Sequence, residues 1–241
     1  VNIREMHYDL KQKLNKVDSQ KYRNLRIPEI DWKLNEAQGI IIRTVAEPRF
    51  KNLLGFEINQ RSTDDIRTVV VNQDTLAGMT PVLFDSKSYT IALPTDYWYL
   101  LSIDKMLASK GNCKSVEMES YHIIQHDDEN EISPFDRSSF EWREINCRVN
   151  SAGLRAYVDG SFSIDKVWIS YIRRPKFMHN AADYTSGTYN TLDGTALTGT
   201  QDSELPDTIH PAVVDLAVLL ISMDYDMQNV ERKQVKIKLT E

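Results

Sequence analysis

Cysteine and glycine are both scarce in this chain of 241 residues, and each scarcity removes a class of protein. Two cysteines, Cys113 and Cys147, make neither a disulfide framework nor a four-ligand zinc site. Each could serve as a nucleophile, but neither has a histidine partner at a readable spacing. Cys147 also falls on an apolar strand pattern, so free thiols acting as small buried hydrophobes are expected. The nine glycines form no Gly-x-x-x-x-Gly-Lys loop and no Gly-x-Gly-x-x-Gly turn, which excludes the usual backbone cradles for phosphate. His-Glu-x-x-His and Gly-x-Ser-x-Gly are missing as well. No apolar run approaches the roughly 20 residues of a bilayer crossing. The longest, Ala212 to Met223, is broken by Asp215 and followed by Asp224 and Asp226. Val1 to Glu5 has no apolar signal core, so a chain made in the cytosol with no membrane partner is expected. Positive charge is not in surplus either. A net charge of −6 argues against a nucleic-acid coat, which takes Lys and Arg clustered on one face.

What is present reads as α+β: helices, then strands, then a loop, then a helix. Ile3, Met6, Leu10, Leu14 and Val17 recur at steps of three and four, the stripe of an amphipathic helix. A second helix opens at Pro28 with Glu29 and Asp31 near its positive end, and Ile30, Leu34, Ala37 and Ile41 continue one face. Trp32 lies off that stripe, free to anchor another contact. Gly39 and the β-branched run Ile40 to Ile42 blur the end of this helix, and Pro48 stops it. Short β-rich segments follow at Thr68 to Val71, Tyr89 to Leu93, Val116 to Tyr121, Ile145 to Val149, Leu154 to Val158 and Val167 to Ile172. Turn residues at Asn150 to Gly153 and Asp159-Gly160 separate them, the pattern of a β-sandwich or barrel-like unit. The last helix starts near His210-Pro211, with Val213, Leu216, Ala217, Leu220 and Met227 in a stripe that Val214, Val218 and Ile221 widen. The division expected is residues 1–67 and 206–241 helical, 68–175 strand-rich, and 176–205 a Thr/Gly/Ser-rich loop or arm.

That loop, from Tyr184 to Leu205, is too polar to form its own core. It is either a disordered connection or an arm that orders on a neighbouring subunit through Tyr184, Tyr189, Leu192 and Leu197. The tail Val235-Lys236-Ile237-Lys238-Leu239 alternates, as an added edge strand would. With the apolar stripe of the first helix (Ile3, Met6, Leu10), these side chains are the candidate subunit contacts.

The best group for a metal is His122 and His126 with Asp127, Asp128, Glu129 and Glu131. Four-residue spacing aligns two ligands on a helix, but this stretch reads as a strand end, where the two histidines stand about 13 Å apart. An acidic, solvated hairpin tip is the simpler reading, and no metal, cofactor or catalytic residue is assigned. His7 and His179 have no readable partners, and His210 reads as a helix-boundary residue. Arg173-Arg174-Pro175-Lys176 reads as a solvated strand end more than a phosphate site. Tyr97, Trp98 and Tyr99 could stack bases, but core or subunit contact is the commoner fate of such clusters.

Three stretches together resemble a known group. They are Arg26-Ile27-Pro28-Glu29-Ile30-Asp31-Trp32-Lys33-Leu34-Asn35-Glu36-Ala37, then Tyr89-Thr90-Ile91-Ala92-Leu93-Pro94-Thr95-Asp96-Tyr97, then Leu205-Pro206-Asp207-Thr208-Ile209-His210-Pro211-Ala212-Val213-Val214-Asp215-Leu216-Ala217. In that order they are similar to the head-to-tail connector, adaptor or ring proteins of tailed bacteriophages, those of crAss-like phages in particular. The resemblance implies a virion structural protein with no catalytic residues. Its subunits would form a homo-oligomeric ring of twelve below the portal, touching the portal and adjacent ring or tail proteins. Genomic DNA would pass through the lumen. Host cytoplasm during assembly and the virion afterwards are the implied locations. Two other classes stay open: a carbohydrate- or receptor-binding β module, carried by the Trp and Tyr residues of the strand region, and an enzyme using the His122 to Glu131 group.

Overall fold

The computed structural model describes residues 1–15, 25–46, 64–72, 78–111, 114–124, 138–191 and 194–225. The expectations for Val17, Cys113, His126 to Glu131, Leu192, Met227 and Val235 to Leu239 lie outside them. The protein is α+β and divides into two compact units, Val1–Val69 with Pro175–Glu241, and Val70–Arg174.

The longest helices of the first unit among the described residues are α1 (Ile3–Asn15), α2 (Ile27–Ala46) and α3 (His210–Tyr225). Asn2 caps α1 reciprocally with Glu5. The Glu5 N–H donates to Asn2 Oδ1 (2.9 Å) and the Asn2 N–H to Glu5 Oε2 (3.0 Å), the capping-box exchange that satisfies two otherwise orphaned donors. Both α1 and α2 pack on α3. This explains its broad apolar face: Val213 and Ala217, together with Val214, Val218 and Ile221, are all buried. Two ion pairs tie the three helices together, Lys13–Asp215 from α1 (2.9 Å) and Lys33–Asp224 from α2 (2.7 Å). Helix α2 runs on through Gly39 and the isoleucines to Ala46. Burial of Ile42 beyond Leu34, Ala37 and Gln38 outweighs the weak helix propensity of that run.

The Thr-rich stretch belongs to this unit. Strands β10 (His179–Asn180) and β11 (Thr200–Gln201) pair antiparallel, and Asn190 bridges Ala196. Its described part is therefore neither a bare connection nor a free arm, since β10 packs on α1 and α2 of the same unit.

Among the described residues the second unit has two sheets. One has the order β1-β9-β4-β5 and the other β2-β3-β8-β7-β6. Their strands are β1 (Val70–Asn72), β2 (Val82–Asp85), β3 (Ser88–Ile91), β4 (Tyr97–Ser109), β5 (Val116–Glu117), β6 (Ser120–Ile123), β7 (Glu144–Asn150), β8 (Gly153–Tyr157) and β9 (Ser163–Arg173). Ile91, Cys147 and Leu154 from one sheet share a buried core with Met106, Val167 and Ile169 from the other, so the two sheets close on one interior. The single strand expected over Val116 to Tyr121 is in fact two. The chain leaves the first sheet after Glu117 and joins the second at Ser120, with Met118 buried at the crossing. Strand β4, the longest together with its partner β9, is absent from the sequence reading. Register shifts at four places along that pair break the alternation that marks a strand.

Candidate functional site

Two polar residues of the resemblance stretch on α2, Asp31 and Asn35, turn toward the interior, while Glu29 and Glu36 stay exposed. Asp31 is fully buried, and three donors converge on it. His7 Nε2 lies 2.6 Å from Oδ1, while the Tyr189 hydroxyl (2.8 Å) and the Asn180 N–H (3.1 Å) donate to Oδ2. Burial first, and the bond to Asp31 second, hold the Tyr189 hydroxyl well above the usual phenol range. One turn along, Asn35 reads the backbone of Met178 in both directions: its Nδ2 donates to the carbonyl (2.8 Å) and its Oδ1 accepts from the N–H (2.9 Å). Asp31 and Asn35 thus fasten the start of the Thr-rich stretch to α2. This arrangement holds three segments together.

The residues singled out from sequence divide by location. Ile3, Met6 and Leu10 are buried in their own unit, so the stripe offered as a subunit contact is spent on intrachain packing, against α3 and β10. Tyr189 is likewise buried, its ring tilted against that of Tyr184 with centres 5.5 Å apart, and Leu197 is half-buried with its N–H donating to the Tyr189 carbonyl (2.7 Å). His122 is exposed, its ring nitrogen 3.1 Å from Ser120 Oγ. Among the described residues no three metal-ligating side chains gather. Cys147 is buried, and desolvation pushes its thiol up to about 12, so it is a packing residue with almost no thiolate at neutral pH. His210 Nε2 donates to the Leu205 carbonyl (2.9 Å) at the entry of α3. His179 is buried with its ring edge toward Tyr189. Lys176, 67% exposed, pairs with Glu204 at 3.6 Å, and the half-buried Tyr97 ring lies against Tyr171. Among the described residues, no helix is long and apolar enough to cross a membrane.

Sequence reasoning missed the surface that is uncovered. Strand β2 is exposed along its whole length: Val82 is 68%, Leu83 59% and Phe84 65% accessible. Among the described residues it ends one side of the five-stranded sheet, and β6, with Ile123 56% accessible, ends the other. The Arg155 guanidinium lies 4.0 Å over the Phe84 ring and reaches Asp85 at 3.4 Å, which holds the strand in shape without covering it. Three successive apolar residues at a sheet edge expose backbone donors and acceptors along with side chains, the surface that natural sheets usually blunt. The available signal was Val82-Leu83-Phe84 itself, an apolar triplet beside Pro81 and the turn at Asp85 to Lys87. Elsewhere in this unit Trp142 is 78% accessible, on a turn whose next residue, Arg143, has φ of 52°. In the first unit, Trp32 lines an apolar groove of about 410 Å3 with Pro28, Lys33, Ile221 and Asp224.

No protein-family model matches this sequence, and no curated protein matches it.

Proposed function

We propose that the chain is a non-enzymatic structural virion protein, one subunit of a homo-oligomeric ring in the head-to-tail connector of a tailed phage. The ring would lie below the portal, against it and adjacent ring or tail proteins, with genomic DNA passing through. The uncovered apolar edge at Val82 to Phe84 is the observation that carries the reading, because an apolar sheet edge left open to water marks a surface for protein contact. The resemblance in three stretches of sequence supplies the class of assembly and the number twelve. Asp31 and Asn35 of the first stretch serve cohesion, which suits an architectural role. A net charge of −6 suits a channel that DNA slides through without being held.

Electron cryomicroscopy of the parent particle tests this. The expected result is density for this chain in a closed ring around the DNA path, beneath the portal. Finding it in a peripheral fibre or spike would overturn the reading. One observation favours a second: the solvent-facing ring of Trp142 suits stacking on a sugar, and a glycan array with Trp142→Ala as control would detect it.

A further inference from the structure

We infer that neighbouring copies of this chain join edge to edge through the five-stranded sheet, β2 of one copy pairing with β6 of the next. The inference rests on the ring reading and adds which surfaces close the ring. Among the described residues, β2 and β6 each have one hydrogen-bonded neighbour in the sheet, and each is four residues long. A closed ring needs two different, complementary surfaces per subunit, related by a fixed rotation. Opposite edges of one rigid sheet meet that requirement.

Strand direction agrees. β3 is antiparallel to β2, β8 to β3 and β7 to β8, while β6 is parallel to β7. β6 therefore runs opposite to β2. A rotation that carries the sheet along itself brings β2 of one copy antiparallel to β6 of the next, the better of the two ladders. The side chains agree as well. Leu83 is opposite Tyr89 and Ile123 opposite Cys147, and both Tyr89 and Cys147 belong to the core side. At the joint, Leu83 and Ile123 thus fall on the same face, where each covers the other. Pro81 and the register shift between Leu83 and Asp85 confine the joint to the Val82–Phe84 stretch.

The size of the contact decides what kind of partner this is. A ladder of about four residues with these few side chains falls short of the roughly 1,200–2,000 Å2 buried by a stable pair. A two-fold pair through β2 alone would be weak and would leave β6 open. In a closed series every copy makes the contact twice, so the assembly holds where a pair does not. Free copies remain monomeric at low concentration.

Cysteines placed at both edges test the joint. The full-length Leu83→Cys, Ile123→Cys double variant, oxidised at up to millimolar protein, should give disulfide-linked dimers, trimers and higher species on non-reducing gels. The unsubstituted protein, blank for its own cysteines, should not. Adding Val82→Lys should lower the cross-linked fraction at least tenfold with far-UV circular dichroism unchanged. Dimers formed equally well by Leu83→Cys alone would mean two-fold β2 pairing and overturn the inference. So would no cross-link at any concentration. Rings in micrographs without cross-linking would sink the edge joint and leave the ring reading intact. A cross-linked ladder from a chain found outside the connector would do the reverse.

Discussion

Asp31 and Gln38 stand two turns apart on α2, both without solvent exposure, and the comparison isolates what a partner is worth. Asp31 has three donors. Replacing it with Ala strands His7 Nε2, the Tyr189 hydroxyl and the Asn180 N–H in the interior. The Asp31→Ala protein is expected to lose about 3–5 kcal/mol of stability, measured by urea unfolding followed on the helical signal. A loss under about 1 kcal/mol would mean the cluster is solvated in solution. Gln38 is the reverse case, since neither its Oε1 nor its Nε2 has a hydrogen-bond partner. An apolar side chain of similar length removes that desolvation cost and keeps the volume. Gln38→Met is therefore expected to stabilise the protein by about 1–3 kcal/mol, read in the same assay. Destabilisation by that change would show that Gln38 has a polar partner in solution. Both residues were visible in sequence as polar positions on a helix. Their opposite circumstances were not, because the donors for Asp31 come from α1 and from beyond residue 175.

At the scale of elements, the turn joining β7 to β8 shows how a backbone requirement is met by one residue type. Gly153 has φ of 132°, and a Cβ there would lie 2.1 Å from the Ile91 carbonyl oxygen of β3. Conformation and close approach both demand glycine. Gly153→Ala is expected to cost about 3 kcal/mol or more, or to leave the β unit unfolded, seen as lost protection of β3 and β8 amides in hydrogen exchange. Unchanged protection would show that the turn has another accessible conformation. This turn is legible in sequence, as Asn150 to Gly153 between two alternating runs. The Val116 to Tyr121 segment is not. Its alternation continues unbroken through the point where the chain changes sheets, because side-chain period records pleat and not strand partner. The Thr-rich stretch misleads for a related reason. Its composition gives too little apolar surface for a core of its own, yet Tyr189 and the backbone at Met178 and Asn180 are anchored by Asp31 and Asn35 of α2.

For the whole molecule, charge makes the sharpest statement. Lys and Arg number 29 against 35 Asp and Glu, and many of the cations described are already paired with acids, as Lys13, Lys33 and Lys176 are. Duplex DNA should be retained more weakly than about 10⁻⁴ M at physiological salt, tested by gel shift with purified protein. Micromolar, salt-dependent retention would reveal a basic face and turn the proposed channel into a DNA-binding surface.

Local chemistry was enough to determine several things from sequence alone. The α+β class, the helix stripes at Ile3 to Leu14 and Ile30 to Ala37, the turn at Asn150 to Gly153 and the acidic balance all follow from periods, turn residues and formal charge. These depend on neighbours within a few positions along the chain. Tertiary structure alone decided which polar groups are satisfied and which apolar groups stay wet. Asp31 meets a hydroxyl 158 positions away, a distance that no local pattern records. Val82 to Phe84 look like core residues by composition, but among the described residues β2 is an outer strand of its sheet and leaves them exposed. Edge or centre is a property of the pairing order, which is set by packing against distant strands and leaves no mark in the strand's own residues.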